Sequence, residues 1–339
     1  MNGLADTFVN NGIGVIPIEI NTPFIIGSVN LYLILGEKVT LVDTGPKTEL
    51  AWKSFIYHLN RNGFRIKDID QVIVTHHHVD HSGLLSVLLE YHPKLKVYAH
   101  KKSVPWLEKN DDIVQKKYNF FEQLYLRHGL SKEQVEAVSK FNDYFNQFIE
   151  PINVDGVLEE GVTPEGLPDW MIIHNPGHSQ GHISLYNLEK GLLIAGDHII
   201  ENTSPGAFIE PPFDKDGDRP KSLVDYQNSL ERIKKIKIKQ VFSGHGKMIT
   251  TPYEVIDQQL NRIKQRVFKV REVFKDEPLS VKDIMKEVYP DRFEKFIPLY
   301  FSEILGVLDI LENNNEITSI VQSGVIKYYL TGEKAVQSC

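Results

Sequence analysis

The sequence predicts a layered α/β protein in which strands and helices alternate along most of the chain. Three observations support this prediction. Short β-branched and apolar runs recur between Gly, Pro, Asn and Asp residues, amphipathic helical stretches separate many of these runs, and several runs end in His, Asp or Gly. Because ligands bind at the carboxyl ends of strands in open α/β sheets, those endings predict a functional site at a sheet edge.

The first hundred residues alternate between strand and helix signals. After an apolar run, Asp43-Thr44-Gly45-Pro46 introduces a helical pattern that ends at Asn62-Gly63, and a Leu-rich helix is expected at 82–91. Strands are expected at 13–20, 24–35, 38–42, 71–75 and 96–99.

Residues 101–150 form a helical insert in this prediction. Two helical stretches, at about 111–127 and 132–149, carry eight aromatic rings, more than a two-helix hairpin needs to close its own seam. Ligand pockets are mostly apolar, so we expect surplus rings to line a substrate pocket. The candidates lie in the less regular first helix and are Tyr118, Phe121 and Tyr125.

The rest of the chain predicts a second set of strands and then a small C-terminal domain. Strands are expected at 170–174, 182–187, 191–195 and 240–243, with a helix at 221–236. Helices at 254–275, 280–288 and 297–313 precede a hairpin at 316–330, which suggests a winged helix. We therefore expect a main domain over 1–252 and a winged-helix-like domain over 253–339.

The composition is that of an ordinary globular protein. Hydrophobic residues make up 41% and charged residues 24% of the 339 residues, which excludes intrinsic disorder. The net charge of −7 argues against a general polyanion binder, because non-specific nucleic-acid affinity comes mostly from excess Lys and Arg. The single cysteine, Cys339, excludes disulfides and thiolate-rich metal sites, whereas 13 histidines are available.

No membrane segment is expected. No apolar run approaches the roughly 20 residues that a spanning helix needs. The first twenty residues lack a basic segment followed by an apolar core, so we predict no signal peptide. A cytoplasmic protein without a membrane partner is therefore the expectation.

The strand predicted at 71–75 leads directly into His76-His77-His78-Val79-Asp80-His81. Side chains two residues apart share a face of extended chain, so His76 and His78 can bind one ion together. Asp80 and His81 then lie where the next helix begins and can reach a neighbouring ion. Imidazole and carboxylate groups suit zinc and similar divalent ions, so this segment predicts a metal site.

Three later segments place further ligand types at predicted strand ends. Glycines next to them allow the backbone to turn tightly beside a metal cluster. These residues are His178 and His182 after 170–174, Asp197 after 191–195, and His245 after 240–243.

Together with Val42-Asp43-Thr44-Gly45, the series resembles the metallo-β-lactamase superfamily of metallo-hydrolases. The resemblance covers about residues 13–250 and implies a four-layer αβ/βα sandwich with a two-metal site along one edge of its sheets. The other matching motifs are His76-x-His78-x-Asp80-His81, Pro176-Gly177-His178-x-x-Gly181-His182, Gly196-Asp197 and Gly244-His245-Gly246.

The resemblance also implies a role for each site residue. One ion would be bound by three histidines, His76, His78 and His178. The other ion would be bound by Asp80, His81 and His245. Asp197 would bridge the two ions. Asp43 would support the site without ligating, and His182 would be a structural histidine. The expected cofactors are two divalent ions, zinc first, with manganese or iron as alternatives.

The favoured activity is hydrolysis of a small ester, thioester or lactone by a hydroxide shared between two ions. The catalytic carboxylates would be Asp197, which bridges the ions, and Asp80, which ligates and orients the nucleophile. Two alternatives stay open: a phosphodiesterase or endoribonuclease of the lactamase-like-2 type, and a mononuclear iron enzyme like the persulfide dioxygenases.

The C-terminal helices and hairpin resemble the winged-helix appendage of the lactamase-like-2 group, some members of which cleave RNA. However, residues 251–339 carry 12 Lys/Arg and 14 Asp/Glu, whereas a duplex-binding winged helix is normally basic. We therefore expect a small-molecule substrate rather than a nucleic acid. The expected role of this domain is packing on the main domain, homodimerisation, or forming a wall of the active-site cleft.

Overall fold

The computed structural model describes residues 14–109, 111–203, 205–214 and 217–332, with only the backbone of 111–113. It is an α/β protein whose two main sheets contain ten strands. They are β1 (Val15–Ile20), β2 (Val29–Leu35), β3 (Val39–Val42), β4 (Gln71–Val74), β5 (Lys96–Ala99), β6 (Gly156–Val157), β7 (Trp170–His174), β8 (Ile183–Asn187), β9 (Leu192–Gly196) and β10 (Gln240–Ser243).

The described part of the chain also contains α-helices and a C-terminal hairpin. The helices are α1 (Glu49–Arg61), α2 (Val79–Ser82), α3 (Leu85–Tyr91), α4 (Val104–Glu108), α5 (Asp111–Arg127), α6 (Lys132–Asn146), α7 (Ser222–Ile233), α8 (Pro252–Arg271), α9 (Val281–Val288) and α10 (Ile297–Asn313). The hairpin pairs β11 (Ile317–Gln322) with β12 (Val325–Leu330).

Strand order brings the carboxyl ends of several strands to one edge. The first sheet has the order β1-β2-β3-β4-β5-β6, and its strands β3 to β6 are parallel. The second sheet has the order β10-β9-β8-β7, with β9 and β10 parallel. The amide of Ile183 donates to the Thr75 carbonyl at 2.9 Å, and the Tyr32 hydroxyl donates to the Ser243 carbonyl at 2.6 Å. These bonds join the two sheets at the edge where β4 and β10 end.

Side chains on the first sheet alternate between two apolar layers, as the strand period of two requires. Leu31 and Leu33 lie in a cluster with Phe55 of α1, whereas Tyr32 and Ile34 face the second sheet. The cluster around Phe55 lies between the outer face of the first sheet and the helices that cover it. The cluster that contains Tyr32 and Ile34 fills the space between the two sheets.

Helices also cover the outer face of the second sheet. Leu193 of β9 shares one apolar cluster with Tyr226 of α7 and Phe301 of α10. Gly306 of α10 allows close packing there, because a Cβ at that position would lie 2.6 Å from Cβ of Leu223. The layers are therefore helices, sheet, sheet, helices, which confirms the predicted αβ/βα sandwich with an additional C-terminal segment.

The C-terminal helices and hairpin occur in the predicted order, and α10 has the predicted bounds. Their apolar side chains belong to the same cluster as the outer face of the second sheet. The boundary between 252 and 253 and the winged-helix assignment stay predictions. None of the helices in the described residues is long and apolar enough to cross a bilayer.

Three local features differ from the prediction. Strand β2 begins at Val29 rather than at residue 24, because Gly27 adopts a φ of 92° and turns the chain before the strand. The prediction also missed helix α4 and strand β6. With five and two residues, these elements are too short to show a hydrophobic period.

Candidate metal centre

The end of strand β4 is held by Asp43, the residue after β3. Its Oδ1 accepts the backbone N–H of Thr75 and its Oδ2 accepts the Thr75 hydroxyl, both at 2.8 Å. One turn further, the Ser82 hydroxyl donates to the carbonyls of His77 and His78 at 3.0 and 2.9 Å. These bonds fix the strand-to-helix turn that carries the histidine cluster.

The three histidines predicted for the first ion meet at this turn. Nδ1 of His78 lies 3.0 Å from Nε2 of His76 and 2.9 Å from Nε2 of His178. A ring nitrogen from each lies within 4.8 Å of the others. The geometry can therefore hold one divalent ion after small adjustments of the rings.

The predicted second group lies beside the first. Oδ2 of Asp80 is 3.4 Å from Nε2 of His245 and 3.9 Å from Nε2 of His81. His245 reaches the group from the second sheet, two residues after β10 ends, while the other two belong to α2. The two sheets thus contribute ligands to one cluster.

Asp197 lies between the two groups. Its Oδ1 is 3.3 Å from Nε2 of His81, and its Oδ2 is 3.4 Å from Nε2 of His245 and 3.6 Å from Nε2 of His178. A carboxylate in contact with a histidine of each group has the position that a bridging ligand needs. The structure therefore brings all seven predicted ligands together.

Backbone and carboxylate acceptors orient the rings. Nδ1 of His81 lies 2.8 Å from Oδ2 of Asp43, Nδ1 of His178 lies 2.7 Å from the Gly206 carbonyl, and Nδ1 of His245 lies 2.6 Å from the Ser28 carbonyl. Each ring donates from Nδ1 and so points Nε2 into the cluster. Outer hydrogen bonds of this kind set the tautomer and orientation of metal-binding histidines.

His182 contacts the ligands from behind. Its Nε2 accepts the backbone N–H of Asp197 at 3.1 Å, and its Nδ1 pairs with Oδ1 of Asn175 at 3.1 Å. The ring positions the Asp197 backbone, which is the contact a structural histidine would make.

Two glycines make room for this arrangement. A Cβ on Gly244 would lie 2.3 Å from Oδ1 of Asp197, and a Cβ on Gly196 would lie 2.8 Å from Nε2 of His182. Gly196 also has a φ of 50°. A side chain at position 244 would displace the Asp197 carboxylate, and one at position 196 would displace the His182 ring.

Burial and mutual contact shift the protonation of the cluster. Burial opposes ionisation of Asp80, but His81 and His245 outweigh it and lower its pKa to about 2. Burial likewise opposes protonation of His245, but Asp197 and Asp80 raise its pKa to about 10. Burial and the neighbouring His178 lower the pKa of His78 to about 3. The Asp80 carboxylate therefore stabilises the protonated form of His245, and His245 stabilises the ionised form of Asp80.

The donor set fits divalent cations. Among the described residues, Nε2 of His81, Nε2 of His245 and Oδ1 of Asp197 are buried without a hydrogen-bond partner. Buried polar atoms are almost always paired, so three such atoms at a single point fit a site that binds a cation. Imidazole nitrogens and carboxylate oxygens, without thiolates, suit zinc, manganese or iron.

The prediction missed a second layer next to this cluster. His77 stacks on Trp106 with ring centroids 4.3 Å apart, and its Nε2 is 3.7 Å from Oε1 of Glu210. Oε2 of Glu210 accepts hydrogen bonds from the backbone N–H and from the side-chain amide of Gln180, each at 3.0 Å. Burial raises the pKa of Glu210 to about 7. Glu210 lies in a loop rich in Pro, Gly and Asp, where no periodic pattern could mark it.

The three predicted pocket residues line one cavity of about 880 Å³ between the insert helices and the loop at 211–213. Tyr118 donates its hydroxyl to Oδ1 of Asp143 at 2.6 Å. Phe121 stacks on Tyr125, which packs edge-on against Phe301 and is only 4% exposed. The insert therefore lies next to Trp106, which stacks on His77, and is on the same side of the molecule as the histidine cluster.

Two facing sheets with nitrogen and oxygen ligands at their common edge define a metal-binding α/β sandwich. The family model described as Metallo-beta-lactamase superfamily matches residues 25–245, so the chain belongs to this superfamily. This membership agrees with the resemblance found in the sequence motifs.

Relatives of known name extend the similarity over nearly the whole chain. "Probable metallo-hydrolase YqjP" of Bacillus subtilis is 32% identical over 315 residues, covering 93% of this chain and 97% of that protein. The Caenorhabditis elegans "Beta-lactamase-like protein 2 homolog" is 26% identical over 79% of this chain and 73% of its own length. The crystal structure of metallo-beta-lactamase family protein TTHA1429 from Thermus thermophilus has a TM-score of 0.77 at 23% identity, over 94% of this chain and 99% of that one.

Proposed function

We propose that this chain is a metallo-hydrolase that binds two divalent ions, zinc in the first place, and hydrolyses a small ester, thioester or lactone. The observation that carries the proposal is the position of Asp197, whose two oxygens lie within 3.6 Å of histidines from both ligand groups. The name of the Bacillus subtilis relative, a probable metallo-hydrolase, supports the same class of reaction.

Two ions in this cluster would supply Lewis acidity and a bound water of lowered pKa. The protein would hold both ions through Asp197 and fix the histidine rings through their Nδ1 contacts. Asp80 keeps about 15% of its side chain exposed, whereas His81 is fully buried. The Asp80 carboxylate therefore faces the open side of the cluster, where it would accept a hydrogen bond from the attacking water and orient it.

A small-molecule substrate is favoured over nucleic acid. The net charge of −7 provides no general attraction for a polyanion, and the C-terminal segment is not basic. The cavity lined by Tyr118, Phe121 and Tyr125 is of a size that suits a small ligand. We propose that these rings contribute to the choice of acyl group.

Metal analysis and a substrate screen test the proposal. Protein reconstituted with Zn²⁺, Mn²⁺ or Fe²⁺ should bind two equivalents and hydrolyse members of a panel of esters, thioesters and lactones. Asp169→Ala, a change at an exposed residue, serves as the control for Asp197→Ala. Binding of a single ion would overturn the two-metal proposal. Cleavage of bis(p-nitrophenyl) phosphate or RNA, with no acyl substrate hydrolysed, would overturn the substrate class.

A further inference from the structure

The cavity beside the insert is lined by charged side chains as well as by aromatic rings. Its apolar wall includes Trp106 and Phe121, and its volume of about 880 Å³ lies in the range of small-molecule sites. The charged side chains of the same cavity are four lysines and two glutamates, Lys102, Lys109, Lys116, Lys117, Glu122 and Glu136, so cations outnumber carboxylates. A lining that combines aromatic rings with several cations suits a ligand that has both an apolar and an anionic part.

Lys117 is the most informative of these lysines. Its Nζ lies 4.6 Å from the centroid of the Trp106 ring, and within the described residues no carboxylate forms an ion pair with it. Loss of hydration, together with the nearby Lys109, lowers the pKa of Lys117 to about 8. Glu210 and Asp143 act on it only through space and only partly offset this effect.

Lys109 extends the cationic side of the cavity. Burial lowers its pKa, and its Nζ donates only a long, 3.4 Å hydrogen bond to Oδ1 of Asn146. Two partly desolvated ammonium groups facing one cavity repel each other, and among the described residues neither forms an ion pair with a carboxylate; Glu210 and Asp143 act on Lys117 only at longer range. Because burying an unpaired charge is costly, an anion between them would stabilise the folded protein.

The cavity lies one layer of side chains from the metal centre. Trp106 forms part of its wall and stacks on His77, whose ring centroid is 5.0 Å from that of His78. Gln180, another wall residue, donates to Glu210 and is two residues from His178. A ligand here would contact the residues that support the metal ligands.

We propose that this cavity binds an amphiphilic anion, a carboxylate or phosphate on an apolar stem, with the anionic group at Lys117 and Lys109 and the stem on the aromatic wall. Such a ligand is either the non-reacting part of a substrate or a separate effector. Binding itself does not require the proposed hydrolase activity, so the two proposals can fail independently.

Calorimetry with defined probes tests the site. The probes are hexyl phosphate, hexanoate, the neutral analogue hexanol and inorganic phosphate, each titrated into the full-length protein with and without Zn²⁺. We expect the two amphiphilic anions to bind in both states, and hexanol and inorganic phosphate to bind at least about tenfold more weakly. Equal affinity for hexanol or for inorganic phosphate would overturn the proposal.

Matched lysine variants locate the anionic group. Lys117→Met keeps the length of the side chain but removes the charge, and we expect it to weaken hexyl phosphate binding about tenfold or more. Lys140→Met, at an exposed position of α6 outside the cavity, should bind like the wild type. A Kd within twofold of wild type for folded Lys117→Met would exclude this site. If Lys117→Met does not fold, Lys109→Met and the comparison of hexyl phosphate with hexanol on the wild type decide the question.

Kinetics distinguishes the two sources of the anion. If the site holds part of the substrate, hexyl phosphate competes with the substrate identified in the screen and raises its KM. If the site holds a separate effector, hexyl phosphate changes kcat at saturating substrate. An absence of hydrolysis with all substrates would contradict the proposed function but leave the calorimetric result for this cavity intact.

Discussion

Asp43 joins the end of strand β4 to the metal cluster, because one carboxylate accepts the Thr75 amide and the Nδ1–H of His81, each at 2.8 Å. Asp43 is 2% exposed and has a φ of 62°, a left-handed conformation that Asp and Asn tolerate better than most residues. Asp43 thus fixes both the position and the tautomer of the His81 ring from outside the ring of predicted metal ligands.

Asp43→Asn should weaken metal binding without abolishing it. The amide oxygen of Asn can still accept one hydrogen bond and suits the left-handed backbone, but it lacks the charge that orients His81. Outer partners of metal ligands typically contribute about 10- to 100-fold in affinity or activity. Titration with Zn²⁺ against a competing chelator measures the change, and an affinity equal to that of the wild type would contradict this role.

Asp197→Ala should abolish hydrolysis and lose at least one equivalent of metal. The change removes the carboxylate that contacts histidines of both ligand groups, whereas Asp80 contacts only His81 and His245. Elemental analysis of both variants after dialysis gives the comparison. Equal metal loss in Asp197→Ala and Asp43→Asn would show that the two carboxylates do not differ in role.

Removal of metal should lower the thermal stability of the wild type. A ligand that binds only the folded state stabilises it by about 2.7 kcal/mol at a free concentration of 100 times its Kd. Thermal unfolding with excess Zn²⁺ and with EDTA measures this difference. Asp197→Ala should show a smaller shift, and an equal shift in the variant would place the stabilising metal elsewhere.

Most of the metal cluster was predictable because its residues lie next to strands with clear apolar patterns. His76 and His78 lie two and four residues after the end of β4, and Asp197 follows β9 directly, so strand ends alone place them at one edge. The same logic gave the alternation of strands and helices along the chain, since elements of ordinary length show their period in the sequence. The four-layer arrangement itself came from the resemblance to the superfamily.

Contacts made by irregular segments could not be predicted in the same way. Glu210 reaches His77 from a long loop, and Trp106 stacks on His77 from a five-residue helix. Neither segment has a period that assigns a face to its side chains, and their positions depend on packing between distant parts of the chain. The second layer around the metal centre therefore emerged only from the structure.

The aromatic residues of the insert should separate into two roles. Tyr118 and Phe121 line the cavity with partial exposure, so Tyr118→Ala and Phe121→Ala should change kcat/KM between acyl substrates of different size while metal content stays constant. Tyr125 is buried against Phe301, so Tyr125→Ala should mainly destabilise the fold, by about 3–5 kcal/mol as for other large aromatic deletions.

Steady-state kinetics on a series of acyl chain lengths and urea unfolding separate these effects. Tyr57→Ala, an exposed ring of α1 outside the cavity, serves as the control and should leave the ratio of kcat/KM between short and long chains unchanged. Because both cavity variants keep the seven metal ligands, a change in that ratio reports contact with the acyl group rather than damage to the metal centre. Wild-type selectivity in both Tyr118→Ala and Phe121→Ala would show that the acyl group lies elsewhere, and the cavity would then be a site for a separate ligand.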